Sequence, residues 1–352
     1  MSHVLAVRLD NEGDVLLAGP AIRALAATSD RLTLLCGPGG RHAAALLPGV
    51  DEVIAWRAAW IDANPEPVRR SDVDGLIDRL SALAVDRAVI FGSFHQSPLP
   101  TALVLRMAGI PWIAATSIDY PGTLLDLRHA IHDDVHEVER GLDLARAAGG
   151  RLPAGDDGAL RVLPDGQDDA WSPAEPYVVV HPGASVPARA WPPDHHAALV
   201  DGLVAAGRRV VVTGGPAETG LTASVAGPAR DGVFDLGGRT TFAGLARVIR
   251  GAEAIVVGNT GPAHLAAAVG TPVVSLFAPT VPTVRWRPWR VPHELLLRPV
   301  PCAGCRARVC PVEGHPCMSG VGVSQVLDAL ARLGGRRTPG RDSHPAPVGV
   351  AA

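Results

Sequence analysis

Residues 254–272 read AIVVGNTGPAHLAAAVGTP, and this stretch decides the fold. An apolar, β-branched run ends at Gly258, a short turn follows, and an alanine-rich run continues to Gly270. Pro262 suits the first helical position, where a missing N–H costs nothing, and Gly270 suits a left-handed helix stop. The order is strand, loop, helix, stop. A strand apolar throughout has no face to show water, so helices must cover it on both sides.

Outward from there the pattern recurs. Apolar runs stand at 3–9 (HVLAVRL), 31–36 (RLTLLC), 51–55 (DEVIA) and 87–91 (RAVIF), and again at 177–181 (YVVVH), 208–213 (RRVVVT) and 272–277 (PVVSLF). Helical stretches alternate with them, which predicts an α/β fold with parallel sheets. Between the two series, residues 151–176 are dense in Pro, Gly and Asp and read as a connector. The expected division is a Rossmann-like domain over 1–165, a second over 175–334, and a disordered tail over 335–352 that lacks apolar periodicity. Two such domains facing across a cleft form the GT-B arrangement, which other two-domain α/β proteins share.

Composition removes several classes. The net charge is −3 over 352 residues and 47% are hydrophobic. A nucleic-acid binder would be basic. No run of about 18 apolar residues is long enough to span a bilayer. The start MSHVLAVRLD lacks a signal-peptide pattern, so the expected compartment is the cytoplasm, where thiols stay reduced. Every basic residue other than histidine is Arg; the chain has no Lys.

Three loops at predicted strand ends carry chemistry. The first, Arg8-Leu9-Asp10-Asn11-Glu12-Gly13-Asp14, precedes a helix. Gly13 permits a tight turn, and Asp14 can be a helix cap or a base. Pro20 predicts a kink or restart in that helix. The second, HPGASVPARAWP over 181–192, offers Gly183, Ser185 and Arg189 to an anion, and Arg can hold two phosphate oxygens at once. The third is Asn259-Thr260-Gly261-Pro262-Ala263-His264, whose free amides at a helix start suit a diphosphate. Between them, GGPAE at 214–218 places Glu218 where an acidic residue can take ribose hydroxyls.

Taken in this order, the loops resemble glycosyltransferase family 9, the ADP-heptose transferases. RLDNEGDVLLAGP (8–20), HPGASVPARAWP (181–192), GGPAE (214–218) and NTGPAHLAAAVGTP (259–272) match its motifs, and HDDVHEVERGLDL (132–144) resembles a weaker one. The resemblance covers roughly residues 3–330. It implies an inverting transfer of a sugar, by default heptose, from an ADP-sugar to a hydroxyl of a saccharide or glycolipid acceptor such as lipopolysaccharide core. Asp14 would be the general base, and Arg189, where the family has Lys, would meet charge on the leaving diphosphate. Ser185, Asn259, Thr260, Gly261 and His264 would bind the donor and Glu218 its ribose. A helix N-terminus would lower the Asp14 pKa, leaving geometry to supply most of its effect. No metal would be required at the diphosphate. An Asp common before Thr-Gly is Asn259 here, which loosens the assignment of the donor sugar. Acceptor contacts have no signature; His95, Asp119 and Tyr120 are loop candidates. Peripheral contact with the inner face of the membrane would follow from a glycolipid acceptor.

Competing readings have their own discriminators. A nicotinamide dehydrogenase would need G-x-G-x-x-G after the first strand, and RLDNEGD supplies one Gly. A transferase with another nucleotide-sugar and a natural-product or cell-wall acceptor, a non-catalytic nucleotide-sugar binder, and a sugar-nucleotide epimerase all stay open to assay. Separately, Cys302, Cys305, Cys310 and Cys317 crowd into sixteen residues with His315. Such spacing can close a structural zinc site; a disulfide or plain packing are the alternatives.

Overall fold

The computed structural model describes residues 2–62, 65–130, 134–164, 173 and 175–334. The expected tail 335–352 and part of the connector lie outside them. The chain folds as α/β with two six-stranded sheets. The first holds β1 (His3–Arg8), β2 (Arg31–Cys36), β3 (Glu52–Ala55), β4 (Arg87–Ile90), β5 (Trp112–Thr116) and β6 (Leu127–His129). The second holds β7 (Tyr177–His181), β8 (Arg209–Val212), β9 (Val233–Asp235), β10 (Ala254–Gly258), β11 (Val273–Leu276) and β12 (His293–Leu296).

All pairings in both sheets are parallel. The first sheet runs β3-β2-β1-β4-β5-β6 and the second β12-β11-β10-β7-β8-β9. Counted within its own sheet, each has the doubly wound order 3-2-1-4-5-6. That order reverses direction between the first and fourth strands, and the crevice outside their carboxyl ends is where such sheets bind ligands. Here the two switch points are β1/β4 and β7/β10.

Burial explains why these strands were legible. β1, β7 and β10 are buried along their whole length. One apolar cluster joins the halves: Val15, Leu16 and Ala21 of the helix Glu12–Ala26 share it with Ala263, Leu265 and Ala266 of the helix Gly261–Val269. Trp289 also belongs to it and donates from Nε1 to the Gly158 carbonyl at 2.9 Å. His136 caps the helix Glu137–Ala147, stacks on Trp289 and bonds the Arg287 carbonyl at 2.9 Å. Thus the wall between the halves is packed apolar surface pinned by specific polar contacts.

Two helix expectations were tested locally. Pro262 stands in the first turn of the helix Gly261–Val269, and Gly270 closes it in the left-handed region at φ 76°. The helix does not restart at Pro20; Glu12–Ala26 is one continuous helix with Pro20 inside it. Its flanks Leu16, Leu17, Ala21 and Ile22 are all buried, so packing holds the helix across the missing N–H.

Candidate active site

The switch-point loops of both sheets open into one cleft of about 520 Å³, within the roughly 300–1,000 Å³ typical of small-molecule sites. The loop after β1 brings Asp10 to Asp14, and the loop after β4 brings Ser93, His95 and Gln96. Facing them are Gly183, Ser185 and Arg189 after β7, Glu218 after β8, and Asn259, Thr260, Gly261 and His264 after β10. All the residues singled out from the three motifs and GGPAE therefore line this cleft. His95 does too, while Asp119 and Tyr120 do not line it.

Asp14 is the third residue of its helix, and Asn11 holds the cap position. The carboxylate does not cap; it accepts from Arg8 Nη2 at 3.0 Å and keeps 26% of its side chain exposed to the cleft. Burial, then the neighbouring Asp10 and Glu137, push its pKa up from 3.8 to about 6, against the pull of Arg8. This reverses the lowering expected from the helix terminus: removal from water and two like charges outweigh the dipole. The pKa lies where a base can work at neutral pH.

Arg8 was missed as a site residue, although it heads the first motif. It is buried and forms ion pairs with Asp10 at 2.8 Å, Asp14 at 3.0 Å and Glu137 at 3.7 Å, and it donates to Ser93 at 2.7 Å. Burial acts to lower its pKa, and the three carboxylates outweigh it and raise it. Glu137 arrives from a helix more than 120 residues away in sequence, so no spacing pattern could link it to Asp14. Gln96 donates to Asp10 and accepts from the Ser93 amide at 2.8 Å. The Asp14 carboxylate is thus held by a preorganised network and is not free to swing.

On the facing wall, Arg189 ends a tight turn at Pro187–Arg189. Burial lowers its pKa, and the Asp14 charge across the cleft acts against that lowering. The Arg189 Nε, Thr260 Oγ1 and His264 Nδ1 are buried with no hydrogen-bond partner. Buried polar atoms left unpaired at a helix start are what an oxyanion ligand would satisfy. Burial holds His264 neutral, with a pKa lowered to about 3, so it offers one N–H. The Asn259 Oδ1 accepts from the Ala278 amide at 3.2 Å, fixing the strand end beneath the site.

Two glycines are forced by close approach. A Cβ on Gly13 would meet Gly261 Cα at 3.0 Å, so the two loops approach this closely because residue 13 has no side chain. A Cβ on Gly183 would sit 2.1 Å from the Glu218 carboxylate, which accepts from the Gly215 amide at 2.7 Å. Gly183→Ala is expected to displace Glu218 and weaken binding of the nucleotide that the resemblance implies by about 5–30-fold with little change in melting temperature; calorimetric titration reads the first and thermal denaturation the second.

Cys302, Cys305, Cys310, His315 and Cys317 line one small pocket. Among the described residues no three His, Cys, Asp or Glu side chains are grouped to hold a metal. All four thiols are free: Cys302 and Cys305 lie on an exposed turn, whereas Cys317 is buried in the core under the short helix Pro316–Ser319. The segment also braces the Arg189 turn. The Ala188 amide donates to the Arg308 carbonyl at 2.9 Å, and His315 Nε2 bonds the Ala188 carbonyl at 3.1 Å.

The profile of glycosyltransferase family 9 (heptosyltransferase) matches residues 93–315. Lipopolysaccharide heptosyltransferase 3 of Escherichia coli is 37% identical over 116 residues, 32% of this chain and 34% of that protein. The chain thus aligns with about a third of that relative's length. Lipopolysaccharide heptosyltransferase 1 of Pseudomonas aeruginosa is 28% identical over 329 residues, 88% of this chain and 87% of that protein. The solved structure of E. coli ADP-heptose lps heptosyltransferase II superposes with a TM-score of 0.72 at 22% identity, covering 95% of this chain and 98% of that one. It shares the fold. The profile match begins beyond the loop that carries Asp14.

Proposed function

The chain belongs to glycosyltransferase family 9, and from that premise we propose that it transfers heptose from ADP-heptose to a hydroxyl of a saccharide or glycolipid acceptor, inverting the anomeric centre. One observation carries the reading. A carboxylate from the loop after one sheet's first strand, Asp14, and a guanidinium from the loop after the other's, Arg189, line the same cleft.

In this reading the acceptor oxygen attacks the anomeric carbon as its proton passes to Asp14. The bond to the diphosphate oxygen breaks and ADP leaves. Arg189, the Thr260 hydroxyl and the amides at the start of the helix Gly261–Val269 receive the charge that develops on the leaving group. Fixed donors of this kind stabilise the transition state more than the ground state. They supply the positive potential that a metal would otherwise bring, so the transfer runs without one. With base and leaving group on opposite walls, attack comes from the far face and the configuration inverts. The relatives' names supply the donor and a lipopolysaccharide acceptor. No helix among the described residues is long and apolar enough to cross a membrane, and a glycolipid acceptor would be met by peripheral contact from the cytoplasmic side.

A nucleotide-sugar screen by thermal denaturation tests the reading. ADP and ADP-heptose should raise the melting temperature, since ligand at 100 times its Kd stabilises by about 2.7 kcal/mol. Stabilisation by UDP- or GDP-sugars instead would replace the donor, and none at all would remove the transferase reading.

The pH dependence follows from Asp14. Only the ionised carboxylate accepts a proton, and its pKa stands near 6. The value of kcat/KM should therefore fall about tenfold per pH unit below 6 and level off above it. A profile flat down to pH 4.5 would show that Asp14 does not titrate in the reaction.

A further inference from the structure

The two walls of the cleft carry opposite charge. The wall after β7 and β10 presents Arg189 and a helix N-terminus, which suit a diphosphate. The other wall presents Asp10, Glu12 and Asp14 from a single loop, together with Ser93, His95 and Gln96. Arg189 is the only Arg among the residues lining the cleft. The chain has no Lys to substitute for one.

Two guanidiniums near this wall are already paired. Arg8 is buried behind Asp14 and held by Asp10, Asp14 and Glu137. Arg285, beside the cleft residue Trp286, pairs with Asp134 and lies 3.4 Å over the Phe94 ring. Asp10 and Asp14 share one guanidinium, and Glu12 has the exposed His42 at 3.1 Å. The wall on this side therefore presents three carboxylates, and Arg189 stands on the other.

Resting on the transferase reading above, we propose that the acceptor sugar seated against the Asp10–Asp14 loop is uncharged and hydroxyl-rich, and that Asp10 and Glu12 exclude sugars bearing a carboxylate or phosphate there. Carboxylates accept hydrogen bonds from sugar hydroxyls, and Ser93 and Gln96 offer both donors and acceptors. An anionic group would face like charges at close range, and such juxtaposition is unfavourable. The arrangement also sorts the two substrates: the anionic donor is drawn to one wall and the neutral acceptor to the other.

The test offers the full-length protein ADP-heptose with matched acceptors: neutral methyl hexosides and heptosides, the corresponding uronic acids, and their phosphate esters. ADP release is followed in each case. Neutral members should show a kcat/KM at least about tenfold above their anionic counterparts. Glu12→Gln should narrow that ratio by improving the anionic acceptors, and added salt should narrow it in the wild type. A lesion that only loosened the fold would lower both classes together. Equal or better transfer to the anionic members, or a ratio untouched by Glu12→Gln, overturns the inference and leaves the transferase reading standing. Stabilisation by ADP without transfer to any member also counts against the inference. Absence of both ADP stabilisation and transfer overturns the reading beneath it.

Discussion

Asp14→Asn is expected to lower kcat by about 10²–10⁴-fold, the range general-base catalysis supplies, while ADP still binds. The replacement keeps size and leaves an amide oxygen to accept from Arg8 Nη2, so the loop geometry survives. What disappears is the proton acceptor and one negative charge. Because that charge reaches Arg189 across the cleft, ADP should bind as tightly as before or slightly better. Stability should move the other way from activity. A carboxylate whose pKa is raised from 3.8 in the unfolded chain to about 6 in the folded one loses stability as pH rises through that window. At pH 7 the neutral Asn relieves a cost on the order of 1–3 kcal/mol. Steady-state kinetics, titration calorimetry with ADP and thermal denaturation read the three effects. Full turnover in this variant would end the base assignment.

Arg189→Ala is the second large effect. The guanidinium belongs to the leaving-group side, so both binding and turnover should suffer. Loss of hydrogen bonds to a charged group costs about 1.5–3 kcal/mol, which corresponds to ADP binding weaker by about 10–150-fold. A fixed donor at developing charge adds a kcat loss of about 10²–10³-fold. Folding should be nearly untouched. The turn is held by backbone bonds at Ala188 to Arg308 and His315, and Arg189 Nε has no partner to lose. Arg189→Lys should recover part of the loss, since it restores the charge as a point contact without the planar fork. Unchanged ADP affinity and kcat in Arg189→Ala would remove the residue from the site.

The fold was legible where strands are buried on both faces. β1, β7 and β10 announce themselves as unbroken apolar runs, and they are the strands whose ends make the cleft. β5, β6, β9 and β12 gave no such signal. LRH, VFD and HELL are short and mixed in polarity, and β6, β9 and β12 lie at sheet edges, where one side needs no partner strand. The helix runs through Pro20 without a restart because tertiary packing, invisible in local propensity, sustains it.

Site legibility divides the same way. Glycine loops between a strand and a helix are local patterns, so the loops of Asp14, Arg189 and Thr260–His264 could be read. The network behind Asp14 could not: Ser93 and Glu137 reach Arg8 from 85 and 129 residues further along the chain as products of topology. The raised Asp14 pKa is a property of that network, which is why its direction was misread from the helix terminus alone. The cysteine spacing was plain, but spacing does not say that Cys317 faces a core while Cys302 and Cys305 face solvent.

The central claim, single displacement with Asp14 as base and ADP leaving against Arg189, is tested most directly by the configuration of the new bond. Wild-type protein, ADP-heptose and a neutral glycoside acceptor are incubated, and the product's anomeric centre is assigned by nuclear magnetic resonance. The account predicts one equivalent of ADP released per glycosidic bond formed and an anomeric configuration opposite to that of the donor. A product that retains the donor's configuration would contradict it.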